Sequence, residues 1–159
     1  MILCEFEDGG KAKLRHVVID AIVLDEDKIL MVKRAKNLTE GGKWGLVGGF
    51  VERDEVLEEA LHREVFEETG YKLKDASFFT VIDKSNRRNE DRQNIAFVYV
   101  CNVGEKTGEP DWESSEVKWF DLNSLPEEEE IAFDHFQIIK LYLKHKSDTF
   151  PKLINYLKE

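Results

Sequence analysis

Gly49-FVERD-Glu55-VLEEALH-Arg63-Glu64-Val65-F-Glu67-Glu68-T-Gly70-Tyr71 is the stretch on which the reading of this chain turns. Its middle predicts a helix over about 54–69, with Asp54 as N-cap and Gly70 as the C-terminal stop. Glu64, Glu67 and Glu68 then fall at i, i+3 and i+4 and share one face. Helix electrostatics oppose that arrangement. Glu67 and Glu68 occupy the last turn, where the helix dipole already presents partial negative charge, and like charges four residues apart cost about 0.2–0.5 kcal/mol per pair.

A charge run on a helix is ordinarily a solvated face. Here Leu57, Ala60 and Leu61 define the apolar sector, and continuing that sector turns positions 64 and 68 inward. A carboxylate there is costly unless paired or bound to a cation, and Arg63 is the one fixed positive charge in the helix. The pattern points to a divalent-cation site. Oxygen-only ligands favour hard ions, Mg²⁺ first and Mn²⁺ next, and Mg²⁺ completes its shell with water and substrate phosphates. Gly48 and Gly49 either let the backbone approach such a ligand or simply make a bulge or turn.

Working outward, residues 14–24 (LRHVVIDAIVL) and 29–34 (ILMVKR) read as a hairpin turned by Asp25-Glu26-Asp27-Lys28. Residues 36–43 form a polar loop, and 44–51 (WGLVGGFV) a short strand entering a tight turn. Strands are expected at 77–82, 94–103 and 117–122, with a charged loop at 83–93 and a long loop at 104–113. Ser124-Leu-Pro-Glu127 has capping-box spacing, and Asp134 opens a helix running to about residue 144. An amphipathic segment over 150–157 closes the chain. Mixed strands with two or three helices indicate an α/β domain with one core.

The net charge of −10 over 159 residues opposes binding to nucleic acid or to an anionic membrane. If the substrate is itself an anion, bridging cations reconcile the two charges. Cys4 and Cys101 form no C-x-x-C, so neither zinc nor a disulfide framework is suggested. The N-terminal residues lack signal-peptide character and no stretch is long and apolar enough to span a bilayer, so the expected location is the cytoplasm.

Residues 49–71 resemble the Nudix box, G-x5-E-x7-R-E-U-x-E-E-x-G-U, where U is a bulky aliphatic residue. Gly49, Glu55, Arg63, Glu64, Val65, Glu67, Glu68 and Gly70 match, and Tyr71 departs at the last position. The resemblance implies a Nudix fold, a mixed β-sheet sandwiched between helices. It would be a single domain, with its core over about 14–145 and a helical tail over about 146–159. It implies hydrolysis of a nucleoside diphosphate linked to another moiety. In that reading Glu64, Glu67 and Glu68 hold metal, one carboxylate deprotonates the attacking water, and Arg63 orients them through Glu55. The Gly48 carbonyl would add a ligand. Glu109, Glu113 and Glu116 are candidates for a further base or ligand, and the sequence does not choose among them.

The run Trp44-Gly-Leu-Val-Gly-Gly-Phe-Val-Glu52 is similar to a segment of ADP-ribose-type members, which favours ADP-ribose or a similar nucleotide sugar as substrate. The alternatives are a triphosphate pyrophosphatase of the 8-oxo-dGTP type and a non-catalytic nucleotide-sensing regulator. Trp44, Phe50 and Trp112 are candidates to stack on a base, with core packing as the other role. Arg87, Arg88 and Arg92 either meet substrate phosphates or offset local acidity. Phe133, Phe136 and Ile139 read as a core stripe and Asp134 as a helix cap. The family resemblance also implies a possible homodimer.

Overall fold

The computed structural model describes residues 1–87 and 92–149. Arg88 and the expected segment 150–157 lie outside the described residues. The order of elements is β1 (Ile2–Glu5), β2 (Lys11–Leu14), β3 (Val17–Asp25), β4 (Lys28–Arg34), β5 (Trp44–Gly45), α1 (Leu57–Thr69), β6 (Tyr71–Ile82), β7 (Ile95–Lys106), β8 (Ser114–Asp121), a 3₁₀ turn (Glu128–Glu130) and α2 (His135–His145).

Six strands form one mixed sheet in the order β5-β4-β3-β7-β6, with β8 also paired to β4. β3 runs parallel to β7, and the other pairings are antiparallel. Side chains alternate across β3, so one run of sequence feeds two cores. Ile19, Ala21 and Val23 pack with Ala60, Leu61 and Val65 of α1. Ile22, on the opposite face, packs with Trp44, Ile138, Ile139 and Tyr142 on the α2 side. The sheet is therefore sandwiched between the two helices, as expected.

Several boundaries move for local reasons. α1 begins at Leu57, not near Asp54, because Asp54 is held at φ 71° and cannot enter a right-handed helix. Glu59 reaches back instead to accept from the Val56 amide at 3.0 Å. Only Trp44 and Gly45 of the expected 44–51 strand form a ladder, because the chain turns at Gly48 (φ +152°). Beyond that point it touches β3 through single bridges, Val47 to Ala21 and Phe50 to Val18. β6 starts at Tyr71, six residues early, since Gly70 (φ 75°) turns the chain straight from helix into strand. The helical turn expected at Ser124 forms at Glu128–Glu130, where Glu130 accepts from the Glu127 amide at 3.2 Å. β1 and β2 make a separate hairpin with no counterpart in the sequence reading.

Candidate active site

Residues 46–50, the last two turns of α1 and the loop after β7 meet at one end of the sheet around a cleft of about 400 Å³. Backbone alternation builds its floor. The carbonyls of Val47 and Gly49 accept from the amides of Ala21 and Ile19 of β3 at 2.7 and 2.9 Å, and the Val51 amide donates to the Val17 carbonyl at 3.1 Å. The amide of Gly48 faces the other way and donates to Glu68 Oε2 at 2.9 Å. A Cβ on Gly48 would lie 2.1 Å from the Ile19 carbonyl oxygen, and one on Gly49 2.3 Å from Glu64 Oε1. At Gly48 the approach is to backbone and requires glycine, whereas at Gly49 it is to the carboxylate of Glu64.

Glu68 is 5% exposed and lies on the inward face of α1, beside Val65 and Thr69. Burial pushes its carboxyl well above the usual carboxylate range, and the Gly48 amide offsets this only in part. Glu64 is raised as well, by burial first, against the pull of Arg63. Arg63 is the organiser of the remaining carboxylates. Its Nη2 and Nε donate to the two Glu55 oxygens at 2.7 and 3.1 Å, and its Nη1 to Glu64 at 2.8 Å and Glu67 at 3.0 Å. Nη2 also donates to the Phe50 carbonyl at 3.0 Å. The Arg63 guanidinium holds the Glu55 carboxyl below its usual range. Among the described residues no three acidic, histidine or cysteine side chains already converge as a metal cage. Glu64 and Glu67 are turned onto Arg63 instead, and Glu68 stands apart on Gly48.

The loop after β7 is pinned to the end of α1. Thr107 and Gly108 donate to the Gly70 carbonyl at 2.9 and 3.0 Å, and Asp111 to the Glu67 carbonyl at 2.8 Å. This brings Asp111, Trp112 and Glu113 to the cleft wall. Glu113 is near enough to raise Glu64, and Asp111 to raise Glu68. Of the three candidate loop glutamates, Glu113 alone reaches the cleft. Glu109 is 89% exposed beside Lys106, and Glu116 on β8 meets Lys33 at 3.7 Å. Neither of these two lines the cleft. Asp111 was missed because only the long-range bond to Glu67 places it.

At the opposite wall Arg87 and Arg92 both reach the cleft, as does Phe50, with the Arg92 guanidinium 5.3 Å over its ring. Trp44 does not. It is packed in the α2-side core, edge-on to Phe120 at 4.8 Å, because the β5 ladder turns it inward. Asp134 occupies the N-cap position of α2, yet its carboxylate goes to Arg87 at 2.6 and 2.8 Å rather than to the helix. Phe133 is buried, as a core residue should be, and it also faces the cleft, with Arg34 and Arg87 over its ring at 5.0 and 5.7 Å. His135 Nδ1 accepts from the Leu46 amide at 2.9 Å, which places the ring proton on Nε2, 3.7 Å from Asp20 Oδ1. Burial, then Arg87 and Arg34, keeps this imidazole neutral by lowering it far below its usual range. One wall of the cleft is thus acidic and the other rich in guanidinium and aromatic groups.

The model of the NUDIX domain matches residues 14–142. The chain belongs to the NUDIX domain family of pyrophosphohydrolases. Among its NUDIX relatives is the ADP-ribose pyrophosphatase of Methanocaldococcus jannaschii, 40% identical over 134 residues, which cover 82% of this chain and 75% of that protein. The bifunctional NMN adenylyltransferase/ADP ribose pyrophosphatase of Francisella tularensis, solved with AMP and a manganese ion, superposes with a TM-score of 0.71 at 30% identity. That match covers 84% of this chain and 42% of the other. The NUDIX domain of Shewanella oneidensis NrtR, solved with ADP ribose, gives a TM-score of 0.71 at 26% identity, over 85% and 90% of the two chains.

Proposed function

We propose that this NUDIX chain hydrolyses the pyrophosphate of ADP-ribose, or of a closely similar nucleoside diphosphate sugar, with a divalent cation, Mg²⁺ foremost and Mn²⁺ as the alternative. The observation that carries this reading is the buried Glu68 carboxylate, held by the Gly48 amide directly behind a cleft that Gly48, Glu64 and Glu67 line. Its burial cost, unmatched by Arg63, is what a bound cation would relieve, and the all-oxygen donor set fits a hard ion. Glu64, Glu67, Glu68 and the Gly48 carbonyl would hold it. When bound, such an ion neutralises phosphate charge and lowers the pKa of coordinated water.

Each residue then has a task of its own. Arg63, tied bidentately to Glu55, fixes the rotamers of Glu64 and Glu67 and leaves them oriented toward the cleft. Glu64, held more basic by burial, suits proton acceptance from the attacking water. Phe50, Arg92 and Arg87 form the wall that meets the part of the substrate that does not react, the aromatic face taking a base or sugar and the guanidinium groups the phosphate charge. The ADP-ribose assignment draws support from the 40% identical M. jannaschii enzyme and from the ADP ribose bound by the NrtR domain.

The test is a panel of ADP-ribose, other nucleotide sugars and 8-oxo-dGTP, each with Mg²⁺, Mn²⁺ or chelator, with products separated by ion exchange. AMP and ribose 5-phosphate from ADP-ribose support the reading. Faster release of pyrophosphate from 8-oxo-dGTP would move the assignment to nucleotide-pool cleaning. Binding of ADP-ribose without any turnover would replace it with a sensing role.

A further inference from the structure

We propose that Arg15, outside the cleft, is a positioning residue that presets the substrate-facing wall between β6 and β7. The inference rests on the hydrolase reading above, and it concerns how substrate is held rather than how it is cleaved. Arg87 and Arg92 are both borne by the connection over 83–94. Arg15 lies at the junction of β2 and β3, and its guanidinium grips that connection at both ends. Nη2 donates to the Asp83 and Lys84 carbonyls at 2.6 and 3.3 Å, where the chain leaves β6. Nε donates to the Gln93 carbonyl at 2.5 Å and Nη2 to that of Asn94 at 3.1 Å, where the chain enters β7.

One side chain thus ties four carbonyls from two segments. Carbonyls only accept, and a planar guanidinium with five donors can bridge them, whereas the single ammonium of lysine cannot span both ends. The hold falls where it is needed, because Gln93 is a non-glycine residue at φ 54°, a left-handed conformation that the backbone does not favour unaided. The adjoining His16 acts on the same wall. Its carbonyl accepts from the Ile95 amide at 2.8 Å, and its ring centroid lies 5.1 Å from that of Phe50, the ring beneath Arg92. Arg15 thus ties the two ends of the connection that carries the arginines, and His16 supports the aromatic beneath Arg92. A wall ordered before substrate arrives spares the ordering cost on binding. The acidic face of α1 makes no contact with Arg15, so its chemistry is untouched.

The experiment compares wild type, Arg15→Ala, Arg15→Lys and, as control, Lys11→Ala, whose exposed ammonium pairs with Glu5 at 3.3 Å. Steady-state hydrolysis of ADP-ribose and amide hydrogen exchange are both read. Arg15→Ala should raise KM about tenfold with kcat nearly unchanged, and Arg15→Lys should fall between it and wild type. Exchange in peptides spanning 83–95 should accelerate while α1 stays protected, and Lys11→Ala should match wild type throughout. A fall in kcat at constant KM, or unchanged exchange in 83–95, would overturn the proposal. So would equal loosening of α1, which marks a general stability role. If wild type hydrolyses no nucleotide, the hydrolase reading fails, and the exchange comparison still decides whether Arg15 holds this wall.

Discussion

A methyl group added at Gly48 and one added at Gly49 should have opposite consequences, although the two residues are adjacent. In Gly48→Ala the new Cβ would stand 2.1 Å from the Ile19 carbonyl oxygen and 3.1 Å from Asp20 Cα. Both belong to the backbone of β3, whose Ile19 side chain is fully buried. β3 cannot retreat without breaking the 2.9 Å bond from the Ile19 amide to the Gly49 carbonyl. The φ of +152° adds backbone strain of about 1–3 kcal/mol, and overpacking adds about 1–3 kcal/mol more. At about 2–4 °C per kcal/mol for a chain of this size, the melting temperature should drop by roughly 5–20 °C. In Gly49→Ala the neighbours at 2.3, 2.6 and 2.7 Å are all atoms of the Glu64 carboxylate, the free end of a flexible side chain. Glu64 can swing aside, so stability should change by less than about 1 kcal/mol. Activity should nevertheless fall about 10²-fold, because a misplaced carboxylate spoils the geometry of the site. Urea denaturation and steady-state turnover measure the two effects separately. A Gly48→Ala protein as stable as wild type, or a fully active Gly49→Ala protein, would refute this assignment of roles.

Two further outcomes follow from the same carboxylates. The raised pKa of Glu68 means that the folded state binds its proton more tightly than the unfolded state does. Without divalent cation, the stability this group contributes should be fully present below the ordinary carboxylate pKa of about 4.3. It should decline as pH rises toward the folded pKa, with a slope of up to about 1.4 kcal/mol per pH unit. Added Mg²⁺ should raise the melting temperature more at pH 8 than at pH 5, and thermal melts that show the same increment at both would count against a cation at Glu68. Arg63→Ala removes the partner of Glu55, Glu64 and Glu67 together. It should lower kcat by about 10–100-fold, and retention of wild-type kcat would show that the clamp does not orient the carboxylates.

The sequence made α1 legible because Leu57, Ala60, Leu61 and Val65 keep a helical period, and the glutamates at 64 and 68 visibly interrupt it. It misplaced the start of that helix, since nothing in the letters around Asp54 announces a left-handed conformer. Family resemblance implied a mixed sheet between helices but not the strand order, because a parallel β3–β7 pairing joins residues about 80 positions apart. The cleft was only half readable for the same reason. Glu64, Glu67 and Glu68 lie within one helical turn and can be seen together in one dimension. Asp111, Asp20 and His135 join them through distant contacts that leave no local signal. The sequence left Trp44 open between stacking on a base and core packing, and gave no sign that the buried Phe133 would also face the cleft, because ladder pairing and the backbone of a helix entry decide which way a ring points.

The central claim, that the inward carboxylates of α1 support cation-dependent hydrolysis of a pyrophosphate, is tested most directly by Glu68→Gln. This substitution preserves size and can still meet the Gly48 amide through its carbonyl oxygen, so the fold should survive with a melting curve close to that of wild type without cation. ADP-ribose turnover in Mg²⁺ should fall by about 10³-fold or more, with the Mg²⁺-induced rise in melting temperature lost as well. A folded Glu68→Gln protein that turns over ADP-ribose at the wild-type rate would contradict the account.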